Sequence, residues 1–294
     1  MKIYYEEQGY LELLKELLAS GVQVTDRTGI GSIAMFDSKV VYNSQFPFST
    51  IRPAPLRLAF EEFWMFLRGD TQTKLLEEKG INFWKGNTSR EFLDSRELYH
   101  LKEGDMGKAY GFQFRNFGGN YSYSSSGFDQ LVNSLNLLKT DPYSRRNLVT
   151  FWNPQQSKDM ALTPCWHSHQ LVVLPSENRP VLHIKLINRS LDALFGFPFA
   201  VQQYRLYQVA LCNMFNFELG SLSCDLTHVH IYNNQIDYAK ELITREFGKQ
   251  GTISINKDLN NINDLLSLQW EDIEVHDLTV NSTKFVTPRP PMAV

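Results

Sequence analysis

The sequence predicts an α+β fold, and three observations carry the prediction. Helical and strand-like patterns both recur, but without the regular βαβ alternation that builds a doubly wound sheet. Of 294 residues, 43% are hydrophobic, 13% aromatic and 21% charged, a balance that supports a large packed core and excludes a disordered or collagen-like chain. No interior segment shifts to Pro, Gly, Ser or one sign of charge as a linker would, so residues 1–294 are expected to form one domain.

Taken in order, Tyr10, Leu13, Leu14, Leu17 and Leu18 stand at helical spacing before Gly21, which predicts an amphipathic helix over 10–18. A polar loop from Thr25 to Gly31 leads into an extended stretch at 32–42. Pro55 opens a second helix through Phe60, Phe63, Trp64 and Leu67, and Gly69 closes it. That helix is apolar enough to be buried, so at least one of its two acids, Glu61 and Glu62, is expected to point where water is scarce. Gly and Ser mark 117–127 as a surface loop, and a helix follows through Phe128, Leu131, Val132, Leu135 and Leu138. Strands at 147–152, 166–174 and 181–188 are separated by turn signals; a long apolar helix covers about 199–215, a strand lies near 221–230, and a helix follows Tyr232. There is no internal repeat.

With 29 Lys and Arg against 32 Asp and Glu, the formal charge of −3 provides no global field for holding a polymeric nucleic acid. Met1 to Glu7 lacks the basic-then-apolar order of a signal peptide, and no window approaches the roughly 18 uninterrupted apolar residues of a membrane span. A cytoplasmic protein with no membrane partner is expected. Cys165, Cys212 and Cys224 are an odd, sparse set, unlike a disulfide framework, so at least one thiol stays unpaired within the chain.

Cys212 sits inside an apolar helix and reads as an ordinary buried thiol. Cys165 differs. Pro164 precedes it, a strand pattern follows, and its polar and aromatic neighbours suit a rigidly aimed nucleophile, provided that positive charge lies close enough to favour the thiolate. Arg27, Arg145, Arg146 and Arg189 can supply that charge; singly each reads as a solvated ion-pair partner, but as a set beside turns they suit a phosphate dianion, whose oxygens take paired guanidinium hydrogen bonds. Period-2 spacing places Cys165, His167 and His169 on one strand face, and His228 and His230 alternate likewise. Neither common zinc spacing is present, so the His pairs read as polar strand faces and no metal is expected.

Several short segments then combine: Asp26–Gly29, Glu61–Thr71, Asn87–Asp94, Glu103–Gln113, Asp141–Arg146, Pro164–Cys165, Arg189–Asp192, Gly196–Phe199, His230–Tyr232 and Met292–Val294. Each is modest alone, but in this order and spacing the chain resembles the thymidylate synthase family over nearly its whole length. The resemblance implies a mixed sheet with flanking helices, a homodimer, and two substrates: a pyrimidine deoxynucleoside monophosphate, dUMP or dCMP, and 5,10-methylenetetrahydrofolate as the folate cosubstrate. It implies Cys165 as the nucleophile that adds to C6 of the ring. Arg27 and Arg189, with Arg145 and Arg146 of a second copy and with Ser190, would hold the 5′-phosphate, and His230 and Tyr232 the 3′-hydroxyl. Glu62, Tyr110 and Asn87 would form the polar relay around the ring, with Gln170, Asp192 and Ala200 also on the nucleotide. Trp84, Phe83, Leu162, Asp192, Gly196 and Phe199 would face the folate, and Ala293 and Val294 would close over the site.

Two departures bear on the base. The family pattern Pro-Phe-Asn reads Pro198-Phe199-Ala200 here, and the His expected after the nucleophile is Trp166. The Asn amide both donates and accepts at the uracil edge; alanine does neither, and indole offers one donor. The expected base is therefore open between uracil and cytosine, and the product between methyl and hydroxymethyl, with the retained Trp84 and Met-Ala-Val end favouring methyl. Pro53 also replaces a basic residue expected after Arg52. Two other classes are weighed against this enzyme: a catalytically silent nucleotide- or RNA-binding relative, disfavoured by the retained Cys165, Glu62 and Tyr110, and a zinc hydrolase, disfavoured by the absent spacing motifs.

Overall fold

A computed structural model of the chain describes residues 2–121 and 126–291. Strand β1 (Lys2–Tyr5) runs directly into helix α1 (Glu6–Ser20), which begins four residues earlier than its apolar spacing predicts and buries Tyr10, Leu13, Leu14 and Leu17. Strands β2 (Val22–Val24) and β3 (Ser32–Tyr42) follow. Helix α2 (Leu56–Arg68) has Pro55 at its N-cap, and Gly69 ends it at φ 85°, a left-handed conformation that glycine adopts without a Cβ penalty. Short helices α3 (Lys74–Glu77), α4 (Arg90–Ser95) and α5 (Tyr110–Arg115) lead to α6 (Gln130–Thr140). The Asp129 side chain caps α6 by accepting from Val132 N–H, so Phe128 falls outside the helix and lies exposed, contrary to the spacing argument.

Strands β4 (Leu148–Thr150), β5 (Trp166–Leu174), β6 (Val181–Asn188) and β7 (Leu191–Asp192) come next, then helix α7 (Gly196–Phe215), strand β8 (Glu218–Tyr232) and helix α8 (Ile236–Leu242). Strand β9 (Thr252–Ile255), helix α9 (Ile262–Leu266) and strand β10 (Ile273–His276) complete the set. The main sheet has the order β1-β3-β8-β6-β5-β4, with β2 beside β3 and β7 beside β8. Its pairings are mixed: β1 with β3 and β6 with β8 are parallel, whereas β3 with β8, β5 with β6 and β4 with β5 are antiparallel. This is the expected α+β architecture, a mixed sheet flanked by helices.

The two faces of the sheet differ. Alternate residues such as Val40, Leu182, Ile184, Leu186, Leu222 and Cys224 are buried beneath α1 and α7, and α2 packs on α7 in turn. The registered partners on the other face, Lys39, Val41, Gln170, Lys185, Ser223 and Asp225, are half-buried, and Asp225 bridges Lys39 at 3.3 Å and Lys185 at 2.6 Å.

Strict alternation fails at one place that matters. Trp166 pairs with Asn188 but Ser168 pairs with Ile187, so His167 is an extra residue in a β-bulge. The bulge returns His169 to the same face as Trp166, where it packs among Phe114, Phe151 and Tyr204. The expected common face of Cys165, His167 and His169 is thereby broken. Desolvation drives the buried His169 down to about 3, so it is a neutral core imidazole.

Candidate active site

Cys165 stands at the end of the loop that enters β5, and two residues from elsewhere hold its backbone. Its N–H donates to Tyr110 Oη at 3.0 Å, and its carbonyl accepts from Arg189 N–H at 2.9 Å. Arg189 secures the same loop with its side chain: Nε donates to the Pro164 carbonyl at 2.8 Å, and Nη2 to the carbonyl and Oγ1 of Thr163, each at 2.9 Å. The guanidinium lies 5.3 Å from the centre of the Trp152 ring. A thiol on a loop pinned from both sides keeps one aim, which is what an attacking group requires.

Burial raises the Cys165 thiol above its ordinary value, and the charge of Arg189, a hydrogen bond to Tyr110 and the charge of Arg27 oppose that rise without cancelling it. Arg145 and Arg146 are absent from these main influences: they occupy an exposed turn just before β4, at the edge of the sheet. Gln170 is not directed at the thiol either. It lies on the half-covered sheet face, and its amide donates to the Arg145 carbonyl at 3.2 Å, holding the arginine turn.

Helix α2 delivers two acids, as its apolar sequence requires. Glu61 is enclosed against Lys79 Nζ at 2.5 Å. Glu62 has no such cation among the described residues. One of its oxygens accepts from Trp84 Nε1 at 2.5 Å and the other from the Gln203 amide. Part of the Glu62 side chain still reaches the cleft, but its carboxyl is enclosed enough for desolvation to push it up to about 7, with the two neutral donors offsetting only part of the shift.

Aromatic rings join the acid to the thiol. Tyr110 stacks on Phe66 with centroids 4.8 Å apart, meets Trp84 edge-on at 5.8 Å and lies 5.1 Å from Trp166. Its φ of 23° is unusual for a side chain of its size, a strained backbone of the kind found where surrounding contacts dictate an orientation. Trp166 is 5% exposed and wedged among Phe63, Phe66, Phe151 and Tyr204, so its indole acts as a wall of the core. Phe83 meets Phe199 edge-on at 6.0 Å, forming a second aromatic corner beside Trp84, and Leu162 packs partly buried against the core. Gly196 opens α7. A Cβ there would meet Leu191 at an ordinary 3.4 Å, so the fold itself does not demand glycine.

The opposite rim is polar. Asp26, Arg27, Asp192 and Cys165 all lie within electrostatic reach of Tyr232, and Asp26, Asp192 and His228 influence His230. Asp192 is already committed to the fold: Oδ1 accepts from the N–H groups of Leu194 and Phe195, and Oδ2 from Gln235 at 2.9 Å. By contrast Asp26 Oδ2, His230 Nδ1 and Asn87 Nδ2 are sealed from solvent with no partner among the described residues. Unpaired buried polar atoms are costly, and three of them gather among residues that the sequence assigns to the site. Ser190 is half-buried beside Arg189, and Ala200 is buried on α7. Ala293 and Val294, expected as a closing segment, lie outside the described residues. No group of three or more His, Cys, Asp or Glu that could hold a metal ion occurs among the described residues, nor is any helix there long and apolar enough to cross a membrane.

Three contributors escaped the sequence reading: Thr163, Trp152 and Gln203. The first two act through loop geometry that no pattern announces. Gln203 was within reach, because it follows Ala200 by one helical turn and shares its face.

Compared with known proteins, residues 8–286 match the family model described as thymidylate synthase. The thymidylate synthase of Saccharomyces cerevisiae is 36% identical over 287 residues, covering 92% of this chain and 94% of that protein. That of Candida albicans is 34% identical over 292 residues, covering 92% and 93%. The bifunctional dihydrofolate reductase-thymidylate synthase of Paramecium tetraurelia is 37% identical over 248 residues, 82% of this chain and 53% of that protein, so the chain spans about half the length of such bifunctional relatives.

Proposed function

The chain belongs to the thymidylate synthase family, and from that premise we propose that it transfers a one-carbon unit from 5,10-methylenetetrahydrofolate to C5 of a pyrimidine 2′-deoxynucleoside 5′-monophosphate. The observation that carries this reading is the arrangement of Cys165 and Glu62: a nucleophile on a pinned loop and an acid whose pKa lies near neutrality, joined by one wall of aromatic rings.

C5 of a pyrimidine is a weak nucleophile. Addition of the Cys165 thiolate at C6 turns the ring into an enolate-like species whose C5 can attack an electrophilic carbon. The folate, when bound, supplies that carbon and, for a methyl product, the hydride that reduces it. Glu62, with a pKa of about 7, exchanges a proton near the base edge in either direction at neutral pH. Tyr110 orients the Cys165 backbone, and Asn87 is assigned with it to the polar relay around the ring. Phe83, Trp84, Leu162, Gly196 and Phe199 are assigned, with Asp192, to the folate, and the edge-on rings of Phe83 and Phe199 supply an apolar corner against which a pterin would lie. Ala293 and Val294 would fold over both ligands and exclude water.

The 5′-phosphate is assigned to Arg27, Arg189 and Ser190, and the sugar hydroxyl to His230 with Tyr232. Arg145 and Arg146 belong to the phosphate site of a second copy. Their exposure at the sheet edge, beside a face whose residues stay half-buried in the single chain, supports a homodimer packed through that face. Two extra guanidinium groups would also help the thiol ionise, which burial within one chain opposes.

Incubation with nucleotide tritiated at C5 and methylenetetrahydrofolate tests the assignment. Release of tritium that needs both the folate and Cys165 is expected; no release from either dUMP or dCMP overturns it. Product mass and dihydrofolate absorbance separate methyl from hydroxymethyl.

A further inference from the structure

We propose that Gln203 reads the C4 edge of the pyrimidine and that its amide oxygen selects a 4-amino group, making dCMP the preferred nucleotide. The inference rests on the one-carbon reading for where the ring lies. It deepens that reading by naming the base and the atom that recognises it.

The argument begins with Glu62. Its carboxylate has one donor on each oxygen, Trp84 Nε1 on one side and Gln203 Nε2 on the other. While Glu62 is ionised its carboxylate only accepts, so the amide of Gln203 turns its NH2 group toward Glu62, as the structure has it, and the carbonyl oxygen lies on the other side. Nothing among the described residues donates to that oxygen, yet it is not one of the buried atoms sealed without a partner. The adjacent Gln202 gives the contrast, because its Oε1 is sealed and unpaired. The 3% of Gln203 that remains exposed therefore includes its acceptor atom.

Position on α7 supplies the second part. Ala200 precedes Gln203 by three residues on the same helix face, and its methyl group brings no competing polar atom there. Phe199 faces Phe83 on one flank, and Tyr204 meets Trp166 edge-on at 4.9 Å on the other, so Gln203 lies between the aromatic corner and the indole that follows Cys165. A ring bonded at C6 to Cys165 and approached by Glu62 presents its C4 substituent to this part of the helix. An amide oxygen accepts from the amino group of cytosine and opposes the carbonyl of uracil. An acceptor placed there discriminates between the two by leaving like poles facing each other when the base is uracil.

The test is calorimetric binding of dCMP and dUMP to the full chain, with tritium release from C5 of each nucleotide measured in parallel. Gln203→Met keeps the length and removes the amide; Gln203→Ser is a shorter second variant should the first fold poorly. The expected result is dCMP bound about tenfold or more tighter than dUMP by the wild type, with that ratio collapsing toward one in both variants, chiefly through loss of dCMP affinity. Tighter binding of dUMP by the wild type, or a ratio left unchanged by both substitutions, overturns the proposal. Preferential dCMP binding without tritium release from either base would sink the one-carbon reading while supporting Gln203 as the reader of the base.

Discussion

Glu7 and Glu62 are both carried inward by helices, α1 and α2, and burial raises the pKa of each without an ion-pair partner among the described residues. Their surroundings diverge from there. Glu7 accepts from Thr50 N–H and Thr50 Oγ1, each at 2.5 Å, from Ile51 N–H at 3.2 Å and from the Gln250 amide at 2.8 Å. Four donors, two of them main-chain, make it a staple joining α1 to the segment before α2 and to Gln250. Glu62 has two side-chain donors, an edge on the cleft and a pKa near 7. The difference teaches how to separate an acid that holds a fold from one that handles protons: the first is saturated, the second is left with something still to bind.

Substitutions can break or sharpen this contrast. The largest effect is expected at the thiol that Glu62 serves: Cys165→Ser should lower tritium release by about 10⁴-fold or more while the melting temperature stays close to that of the wild type. Glu62→Gln should cost about 10²–10³-fold in kcat/KM, with nucleotide affinity changed only a few-fold, because it removes a proton-transfer group and keeps the side-chain shape. Glu7→Ala should do the reverse. Unfolding by urea should show a loss of about 2–4 kcal/mol, and turnover per folded molecule should stay near the wild-type value. If Glu7→Ala abolished turnover in protein that is still folded, the division between the two acids would fail.

The smallest effect is one of pH. A carboxyl whose folded pKa is raised binds its proton more tightly in the folded state, so its contribution to stability is fully present below about 4.5 and lost as pH rises through about 7. The wild type should therefore lose on the order of 1–2 kcal/mol relative to Glu62→Gln across that window, a figure reduced for the part of Glu62 that meets solvent. Denaturant melts of both proteins at pH 5 and pH 8 would measure it; parallel curves would show that Glu62 titrates as an ordinary surface acid.

Much of this was legible in the sequence because local patterns and their tertiary use agreed. Pro55 and Gly69 bracket α2 as read, and β5 and β6 begin and end where their alternation does. The enclosure of Glu62 followed from its apolar helix. What could not be read depends on register or on loops. One inserted residue, His167, moved His169 into the core and dissolved the shared face expected for Cys165 and the two histidines. Strand β1 is too short to show a period, and the β9–β10 pair is joined across an intervening helix. Spacing could suggest that Arg189 lies near Cys165, but not that most of its hydrogen bonds go to the loop carrying the thiol.

The central claim is that Cys165 bonds to C6 of a pyrimidine ring, and intact-protein mass spectrometry with a 5-fluoro-2′-deoxynucleoside monophosphate and methylenetetrahydrofolate tests it most directly. Fluorine at C5 cannot leave as a proton does, so the covalent complex should accumulate. The account predicts a stoichiometric mass increase equal to nucleotide plus folate, mapping to the peptide that contains Cys165 and absent from Cys165→Ser. Unmodified protein under saturating concentrations of both ligands, or an adduct on Cys212 or Cys224 instead, would contradict it.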